Sequence, residues 1–270
     1  MKSLVLLLTL SCFSPYLVLG QNAVRSGKPQ VFLDHVYLVL DAKTYKDIVS
    51  SEFMKEQFSN FREKTTILDS EALSAAYVNG KKTYIEIFEA GKDPKFKLSM
   101  VGIGFIVEEV GASDVVRQQL DVRFAGKAKR ELSTVRKDNK DVPLFYAAYV
   151  DYGDNNLMLA TWVMEYHKDY FASRLPDAKP TDGTSRELAM ARTFDRTRYL
   201  QNITEVTLAL SEAEIARLTG ELGAFGYKPK KAGNNTVFQG PEVDLVVTLA
   251  VGKKHGITKL KLSLLRKKAG

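Results

Sequence analysis

Hydrophobic and polar residues alternate along the segment Leu33–Leu40, as they do in a strand that is buried on one face. Val36 and Leu38 share the face that would pack on a helix, whereas His35 points to the opposite side. Asp41 follows the strand and can accept hydrogen bonds from the free amides of a helix start. The segment therefore predicts a strand that leads directly into a helix and leaves one face for a pocket.

The same pattern of strand and helix returns at Val101 and at Ile203, and its strand returns once more over 257–265. Three further strand-like segments follow each of the first three helices, and repeats of this kind indicate one structural unit used several times. The chain is therefore predicted to be α+β, built from repeated βαβββ units. Because each sheet has one face covered by its own helix, the units should pair into cupped mixed sheets.

Local signals place the predicted helices. Apolar spacing predicts the first helix over about 42–58, and Ser113 is placed to cap the second. Ser211 and Glu214 form the pattern of a capping box for the third helix, and Gly226 is a natural stop for it.

The predicted organisation of the chain has four parts. They are a signal peptide (1–20), a first domain of two units (31–168), a linker (169–198), and a third unit with an extra closing strand (199–270). The linker prediction is based on its prolines and glycine, which interrupt the repeat.

Residues 1–20 have the composition of a secretory signal, with Lys2 before the apolar run 4–20 and a cleavage site before Gln21. The run is short for a membrane span, so no stable span is expected after cleavage. The expected location is secreted or periplasmic. Cys12 is the only cysteine of the chain, so the mature protein would contain neither a thiol nor a disulfide.

Composition limits the functional classes. The chain has 270 residues, of which 45% are hydrophobic and 26% charged, which is typical of a globular protein with a substantial core. The net charge of +7 is dispersed, so binding of nucleic acid is not expected. The sequence has no glycine-rich phosphate loop, serine nucleophile elbow or His-Glu-x-x-His motif, which removes most nucleotide-binding and hydrolase interpretations.

Two stretches, Leu33–Asp41 with its Leu-Asp-His-Val-x-Leu-Val-Leu motif and the Tyr-Ile-Glu-Ile-Phe-Glu strand Tyr84–Glu89, resemble the vicinal oxygen chelate superfamily. That superfamily includes glyoxalase I, methylmalonyl-CoA epimerase, extradiol dioxygenases, and fosfomycin-resistance and bleomycin-binding proteins. Within it, the chain is most similar to an uncharacterised exported glyoxalase-like family. The resemblance implies a divalent metal (Zn, Mn, Ni or Fe) held by His35 of a first strand and Glu86 of a last strand.

The other units depart from the superfamily pattern. Gly102 stands in the second unit where another His or Glu ligand would be expected, and Glu205 and Lys259 hold that place in the third and fourth units. Glu165 is the candidate residue on the last strand of the second unit. Its strand can be aligned in two registers, and a shift of one residue sends its side chain to the other face of the sheet.

Three interpretations remain open for His35 and Glu86. They can bind a metal, form an acid–base pair, or be a hydrogen-bonded pair in a polar pocket wall. Glu86 and Glu165 are the candidate catalytic residues.

The neighbours of this pair provide the candidate ligand-binding surface. Gly102 and Gly104 lie on the presumed pocket face, where glycine leaves room for a ligand or for close packing of the protein itself. Tyr37, Tyr84 and Phe88 are candidates to line an apolar pocket with polar tips. Trp162 is expected to belong to the core.

Other polar residues have structural interpretations. Glu205 with Lys259 and Lys261 is expected to form an ion pair rather than a second site. His167 is expected at a solvated strand end, and His255, next to a glycine, at a surface turn.

The sequence therefore favours an exported glyoxalase-like protein that holds a small oxygenated molecule in the cup between paired units, with or without a divalent metal. An enzyme of this type would be a lyase, isomerase or dioxygenase. The alternatives are a metal-free binding module and an interaction protein of the cell envelope. A homo-oligomer is left open.

Overall fold

A computed structural model describes residues 27–153, 157–174, 185–252 and 254–265. The predicted signal peptide (1–20) and residues 175–184 of the predicted linker lie outside the described residues. The first unit consists of β1 (Phe32–Leu40), α1 (Ala42–Val49), a π-helical segment (Phe53–Phe58), β2 (Asn60–Leu68), β3 (Glu71–Asn79) and β4 (Tyr84–Glu89).

The second unit repeats this order. It consists of β5 (Val101–Ile106), α2 (Ala112–Arg123), β6 (Ala128–Lys137), β7 (Lys140–Val150) and β8 (Leu159–Tyr166). In both units the first strand runs parallel to the last one, β1 to β4 and β5 to β8. The two units close into one eight-stranded barrel with the strand order β1-β4-β3-β2-β6-β7-β8-β5.

Two short helices connect the barrel to the third unit. They are α3 (Lys168–Arg174) and α4 (Arg186–Met190). The third unit consists of β9 (Leu200–Leu210), α5 (Glu212–Ala224), β10 (Lys228–Ala232), β11 (Asn235–Gln239), β12 (Asp244–Leu249) and β13 (Gly256–Leu264). Its sheet has the order β10-β11-β12-β9-β13.

Strand β13 is antiparallel to β9, as β5 is to β1. The last strand therefore repeats the first strand of a further unit, as the sequence pattern indicated. The strand order, the parallel pairing within units and the two mixed sheets confirm the predicted fold class, α+β with repeated and paired βαβββ units.

The first helix is shorter than predicted. Helix α1 ends at Val49, and a separate π-helical segment runs from Phe53 to Phe58. Ser51 lies at the break, where its hydroxyl accepts a hydrogen bond from the Met54 amide (3.4 Å). Serine competes for backbone hydrogen bonds in this way, which explains why apolar spacing alone overestimated the helix.

Asn79-Gly80 is a sequence typical of a tight hairpin turn with two positive φ values. Asn79 is instead the last residue of β3, and neither Asn79 nor Gly80 has a positive φ. The tight turns with two consecutive positive φ values are instead at 69–70 and 138–139. They join β2 to β3 and β6 to β7. The first turn contacts strand β6, where the Asp69 carboxylate accepts from the Thr134 amide (2.6 Å) and Leu68 pairs with Val135. These two hairpins close the barrel.

Helix caps follow the sequence at α1 and α5. Asp41 accepts from the Thr44 amide at 2.9 Å, and Ser211 and Glu214 form the predicted capping box. Gly226, with φ of 85°, follows the end of α5 as expected. Helix α2 differs, since its N-cap is Gly111 and not Ser113.

The third unit packs on the outside of the barrel through α5. Phe105 of β5 contacts Phe225 and Tyr227, with ring centroids 5.1 and 5.7 Å apart. The Glu221 carboxylate of α5 accepts from the Tyr152 hydroxyl of the barrel at 2.8 Å. One apolar core therefore spans the outer face of the barrel and the third unit. In the described part of the chain, no helix combines the length and apolar character needed to cross a membrane.

Candidate functional site

A bulge in β1 places an acid and a histidine side by side inside the barrel. The pairing of β1 with β5 shifts between Leu33 and His35, so Asp34 is an extra residue in the strand. A bulge of this type interrupts the alternation of side chains. Asp34 is 1% exposed and its Oδ2 accepts from Nδ1 of His35 at 2.9 Å. The strand thereby carries an Asp–His pair that simple alternation would have separated.

The imidazole of His35 is held by aromatic rings. It stacks on Tyr84, with centroids 4.5 Å apart and planes inclined by 17°. The Trp162 ring meets it edge-on at 5.3 Å. The backbone of Gly104 lies against it, since a Cβ added there would be 2.4 Å from Cε1 of His35. These contacts fix the ring orientation that the Asp34 hydrogen bond requires.

Glu86 lies on the neighbouring strand β4, two residues after Tyr84, the residue opposite His35. Its Cα is opposite Tyr37 on β1 and opposite Tyr77 on β3. Glu86 as a whole residue is half-buried. Within the described residues, no side-chain or backbone group donates a hydrogen bond to it, and its main electrostatic partner is His35. Glu86 is therefore an acceptor without a donor.

Burial and charge set the proton affinities of the pair. Burial raises the pKa of Glu86, an effect that His35 reduces and the charge of Asp34 reinforces. Burial alone would lower the pKa of His35, but the Asp34 hydrogen bond and the charges of Glu86 and Asp34 outweigh it, so the net pKa is raised above 6.5. Both groups are therefore shifted toward holding a proton.

Tyrosines surround the carboxylates. Burial, followed by the negative charge of Glu86, raises the pKa of Tyr37, Tyr77 and Tyr84. Burial and the charge of Asp34 likewise raise the pKa of Tyr166. These hydroxyls stay protonated across the physiological range and can donate hydrogen bonds to a bound molecule.

The two glycines of β5 make room for the protein's own rings. A Cβ on Gly102 would lie 2.0 Å from Cε1 of Tyr37, as one on Gly104 would meet His35. The space that was predicted for a ligand at these glycines is occupied by Tyr37 and His35. Close packing, the alternative considered for these positions, is the arrangement observed.

Glu165 is not part of this cluster. Its Oε1 accepts from the Gly111 amide at 2.8 Å, and its Oε2 accepts from the amide and hydroxyl of Ser113 at 2.9 and 2.6 Å. The carboxylate therefore caps helix α2 on the helix side of the sheet, where negative charge is favourable. Of the two possible registers of β8, the structure has the one that turns Glu165 away from His35 and toward the start of α2.

Phe88 lies toward the other end of the barrel. Its ring stacks on Phe96 at 4.0 Å and meets Tyr37 at 5.7 Å. Phe88 and Phe96 border a cleft of about 250 Å³ that is also lined by Lys92 and Asp93. The cleft does not include the Asp34, His35 or Glu86 side chains, so volume and the polar cluster occur at different places.

The donor set does not fit the metal that the resemblance implies. His35 and Glu86 come from the first unit, but the second unit contributes Gly102 and Trp162 to the interior and turns Glu165 outward. Among the described residues, no three His, Cys, Asp or Glu side chains are arranged to hold a metal ion. Catalytic zinc sites use three protein ligands. This barrel brings together only two candidate ligands, His35 and Glu86, because Asp34 is hydrogen-bonded to His35.

The other candidate residues have structural partners. Glu205 forms the predicted ion pair, with Lys259 at 3.7 Å and Lys261 at 2.5 Å. His167 accepts from the Asp169 amide at 3.3 Å at the end of β8. His255 is not a free surface residue, because its Nε2 lies 2.8 Å from Oε2 of Glu214 and its side chain is 23% exposed.

Two residues of the site were missed by sequence reasoning. Asp34 was not singled out, because strict alternation assigns it to the opposite face from His35 and only the bulge brings it inside. Tyr77 was not singled out because its place beside Glu86 depends on the β3–β4 register. The adjacency of Asp34 and His35 in the sequence was the available signal.

Solved structures with a similar course of the chain show low identity. A hypothetical protein from Staphylococcus aureus matches with a TM-score of 0.49 and 10% identity, over 84% of this chain and 88% of that chain. A Mn(II)-bound glyoxalase from Novosphingobium aromaticivorans gives 0.45 and 8%, over 86% and 65%. A mutant of 4-hydroxymandelate synthase from Streptomyces coelicolor gives 0.43 and 11%, over 87% and 71%. At these values the likeness carries no information on activity.

The remaining comparisons concern sequence. No curated protein matches the chain. A family model described as a family of unknown function matches residues 33–270, which include the Asp34–His35 strand, the barrel and the third unit. The chain therefore belongs to the family of unknown function DUF5829.

Proposed function

We propose that this protein binds a small oxygenated molecule at the cluster of Asp34, His35 and Glu86 inside the barrel, without a metal. The observation that supports the proposal is a pair of carboxylates with unused acceptor capacity. Oδ1 of Asp34 is buried and has no hydrogen-bond partner among the described residues. Glu86 likewise receives no hydrogen bond there.

Unused acceptors in a barrel are costly. A buried polar atom without a partner costs about 1–3 kcal/mol, and a bound molecule that donates to it recovers part of that cost. Hydroxyl groups of a ligand would supply such donors. The rings of Tyr84 and Trp162 beside His35 would cover its apolar part.

A second candidate is a metal-independent enzyme that transfers protons. The Asp34–His35 hydrogen bond holds one imidazole nitrogen and fixes the ring, as acid–histidine pairs do in general acid–base catalysis. In such a reaction the Glu86 carboxylate would take a proton from the bound molecule and the protonated His35 would return one to it, and the raised pKa of His35 favours its role as the acid.

Elemental analysis and thermal unfolding test the proposal together. Protein purified without chelator should contain no stoichiometric divalent metal, and added Zn, Mn, Ni or Fe should leave the midpoint of unfolding unchanged. A screen of hydroxy compounds should contain ligands that raise the midpoint by mass action. Glu86→Gln should lose that response, whereas Glu89→Gln on the same strand should keep it.

One metal ion per chain, lost in both His35→Ala and Glu86→Ala, would overturn the metal-free proposal in favour of the metal site that the superfamily resemblance implies. A screen in which the wild type and Glu86→Gln respond alike to every compound would place binding elsewhere.

We also propose that the protein is exported and that residues 1–20 are removed. The apolar run after Lys2 supports this. Mass spectrometry of the mature protein from its native source should find an N-terminus near Gln21, and a retained Met1 would contradict export.

A further inference from the structure

Strand β2 carries two basic side chains on the face that looks into the barrel. In the β2–β3 register Arg62 is opposite Tyr77 and Lys64 is opposite Ala75. Directly opposed residues of an antiparallel pair share one face. Ala75 belongs to the interior aromatic cluster, against which Tyr77 packs. The register therefore puts Arg62 and Lys64 on the same face as Tyr77 and Ala75, and both side chains are exposed to solvent.

A third cation comes from α3. Desolvation lowers the pKa of Lys64, and the positive charges of Arg174 and Arg62 lower it further. Arg174 is held in place by the Tyr170 hydroxyl, to which it donates. Arg62 donates to the Asn60 side chain at 3.1 Å. In the described ranges, none of the three cations forms an ion pair with a carboxylate.

Arg62 and Glu86 belong to one row of the sheet. Glu86, Tyr77 and Arg62 are successive partners across β4, β3 and β2. Neighbouring strands are about 4.8 Å apart, which puts the Glu86 and Arg62 backbones about 10 Å from each other. Opposite charges at this separation, with a tyrosine between them, are too far apart to neutralise each other directly.

We propose that the ligand of the barrel is a small organic anion. Its hydroxyl or ammonium group would donate to Glu86, and its carboxylate or phosphate would be bound by Arg62 and Lys64, with Arg174 adding positive charge. The inference rests on the proposed function, because it specifies which molecule the cluster accepts. An anion relieves the repulsion among the three cations, and this gain is absent for a neutral ligand.

Matched pairs of probes test the charge requirement. Malate is compared with malamide, and glycerol phosphate with glycerol, by isothermal titration calorimetry on the full chain. The anionic member of at least one pair should bind more tightly than its neutral counterpart. Malate alone would identify a carboxylate site, and glycerol phosphate alone a phosphate site.

Charge-removing variants locate the contact. Lys64→Gln and Arg62→Gln should each weaken binding of the anionic probe about tenfold, as expected for the loss of a charged hydrogen bond. Lys43→Gln is the matched control, since Lys43 is exposed on α1 and makes the same charge change away from the barrel interior. Equal weakening in all three variants would indicate a general effect of net charge and would overturn the assignment.

Lysine acetylation provides a readout that does not depend on the folding of a variant. The protein is treated with limiting acetic anhydride, and the rate at each lysine is measured by mass spectrometry with and without the anionic probe. Bound anion should slow the modification of Lys64 and leave that of Lys43 unchanged. Equal rates at Lys64 with and without malate and glycerol phosphate would overturn the inference.

The outcomes separate this inference from the proposed function. If neutral and anionic probes bind equally and Glu86→Gln abolishes both, the barrel binds a ligand but the organic anion is wrong. If the anion protects Lys64 and binds equally to wild type and Glu86→Gln, the cationic contact is real but the Asp34–His35–Glu86 cluster is not its partner, which overturns the bifunctional ligand.

Discussion

The first and third units have the same strand order, but the equivalent face of the sheet is covered in the first unit and uncovered in the third. In the first unit, His35 is paired with Tyr84 on one side and Gly104 on the other. In the third unit, the equivalent β9 residue, Glu205, is paired with Asp244 and Lys261. The first face is closed by the second unit into a barrel, and the third face remains open.

The difference shows how partner packing selects side chains. Where the second unit closes the barrel, glycine stands against the rings of His35 and Tyr37. Where no further unit covers the sheet, Lys259 and Lys261 stand at the matching positions and pair with Glu205. One backbone arrangement thus supports an aromatic cluster with an acid and a histidine, or a solvated ionic face, and the function depends on the residues rather than on the fold.

The largest effect is expected where the two regions are tied together. Arg186 is 1% exposed, donates to Glu108 at 2.9 and 3.2 Å and to Glu242 at 3.0 Å, and also donates to the Leu33 carbonyl at 3.0 Å. Arg186→Met should lower the free energy of unfolding by about 3 kcal/mol, because two carboxylates lose their buried partner.

Urea denaturation measures this loss, with Arg198→Met as the control. Arg198 pairs with Asp195 at 3.2 Å near the surface and its removal should cost less than about 1 kcal/mol. Equal losses in the two variants would show that Arg186 does not join the barrel to the third unit energetically.

The second test fills the space at the glycines. Gly104→Ala puts a methyl group 2.4 Å from Cε1 of His35, so the ring must move away from Tyr84. We expect a loss of about 1–3 kcal/mol, as for other overpacked interiors. Gly27→Ala is the control, since no atom lies within 4 Å of its added Cβ. A Gly104→Ala protein as stable as Gly27→Ala would mean that the interior has room for a ligand there.

Sequence patterns predicted the parts of this comparison that depend on local periodicity. Alternation along 33–40 and 84–89 identified His35 and Glu86 on one face, and the repeat identified the third unit. Periodicity could not identify the bulge at Asp34, because the bulge depends on how β1 pairs with β5, which lies far away in the sequence. It also could not choose the face of Glu165, which is set by the amides of a helix that packs from another part of the chain.

The third test uses pH to distinguish Glu86, whose pKa is raised by burial, from Glu89 on the same strand. Burial is the largest cause of the raised pKa of Glu86, and attraction to His35 offsets it in part. The folded protein therefore holds this proton more tightly than the unfolded chain, so the wild type loses stability as the pH rises from the ordinary value of 4.5 through the raised one. Glu86→Gln cannot ionise and should be more stable than the wild type at neutral pH, but not in acid.

Urea denaturation between about pH 4 and pH 8 checks the sign of this dependence. Glu89→Gln, on the same strand but paired with Lys92 at 4.0 Å, provides the control. If Glu86→Gln is less stable than the wild type at neutral pH, its carboxylate forms a favourable interaction that outweighs its burial.

The smallest effect is expected on the open face of the third unit. Glu205 pairs with Lys261, whose side chain is 52% exposed, and with Lys259, which is 58% exposed. Pairs of this kind contribute about 0–1 kcal/mol, because water screens the charges and long side chains lose freedom. Glu205→Gln should therefore change the free energy of unfolding by less than about 1 kcal/mol, and added salt should remove most of that change. A larger loss that persists in high salt would mean that this face is covered in solution, and the contrast between a closed first unit and an open third unit would then no longer hold.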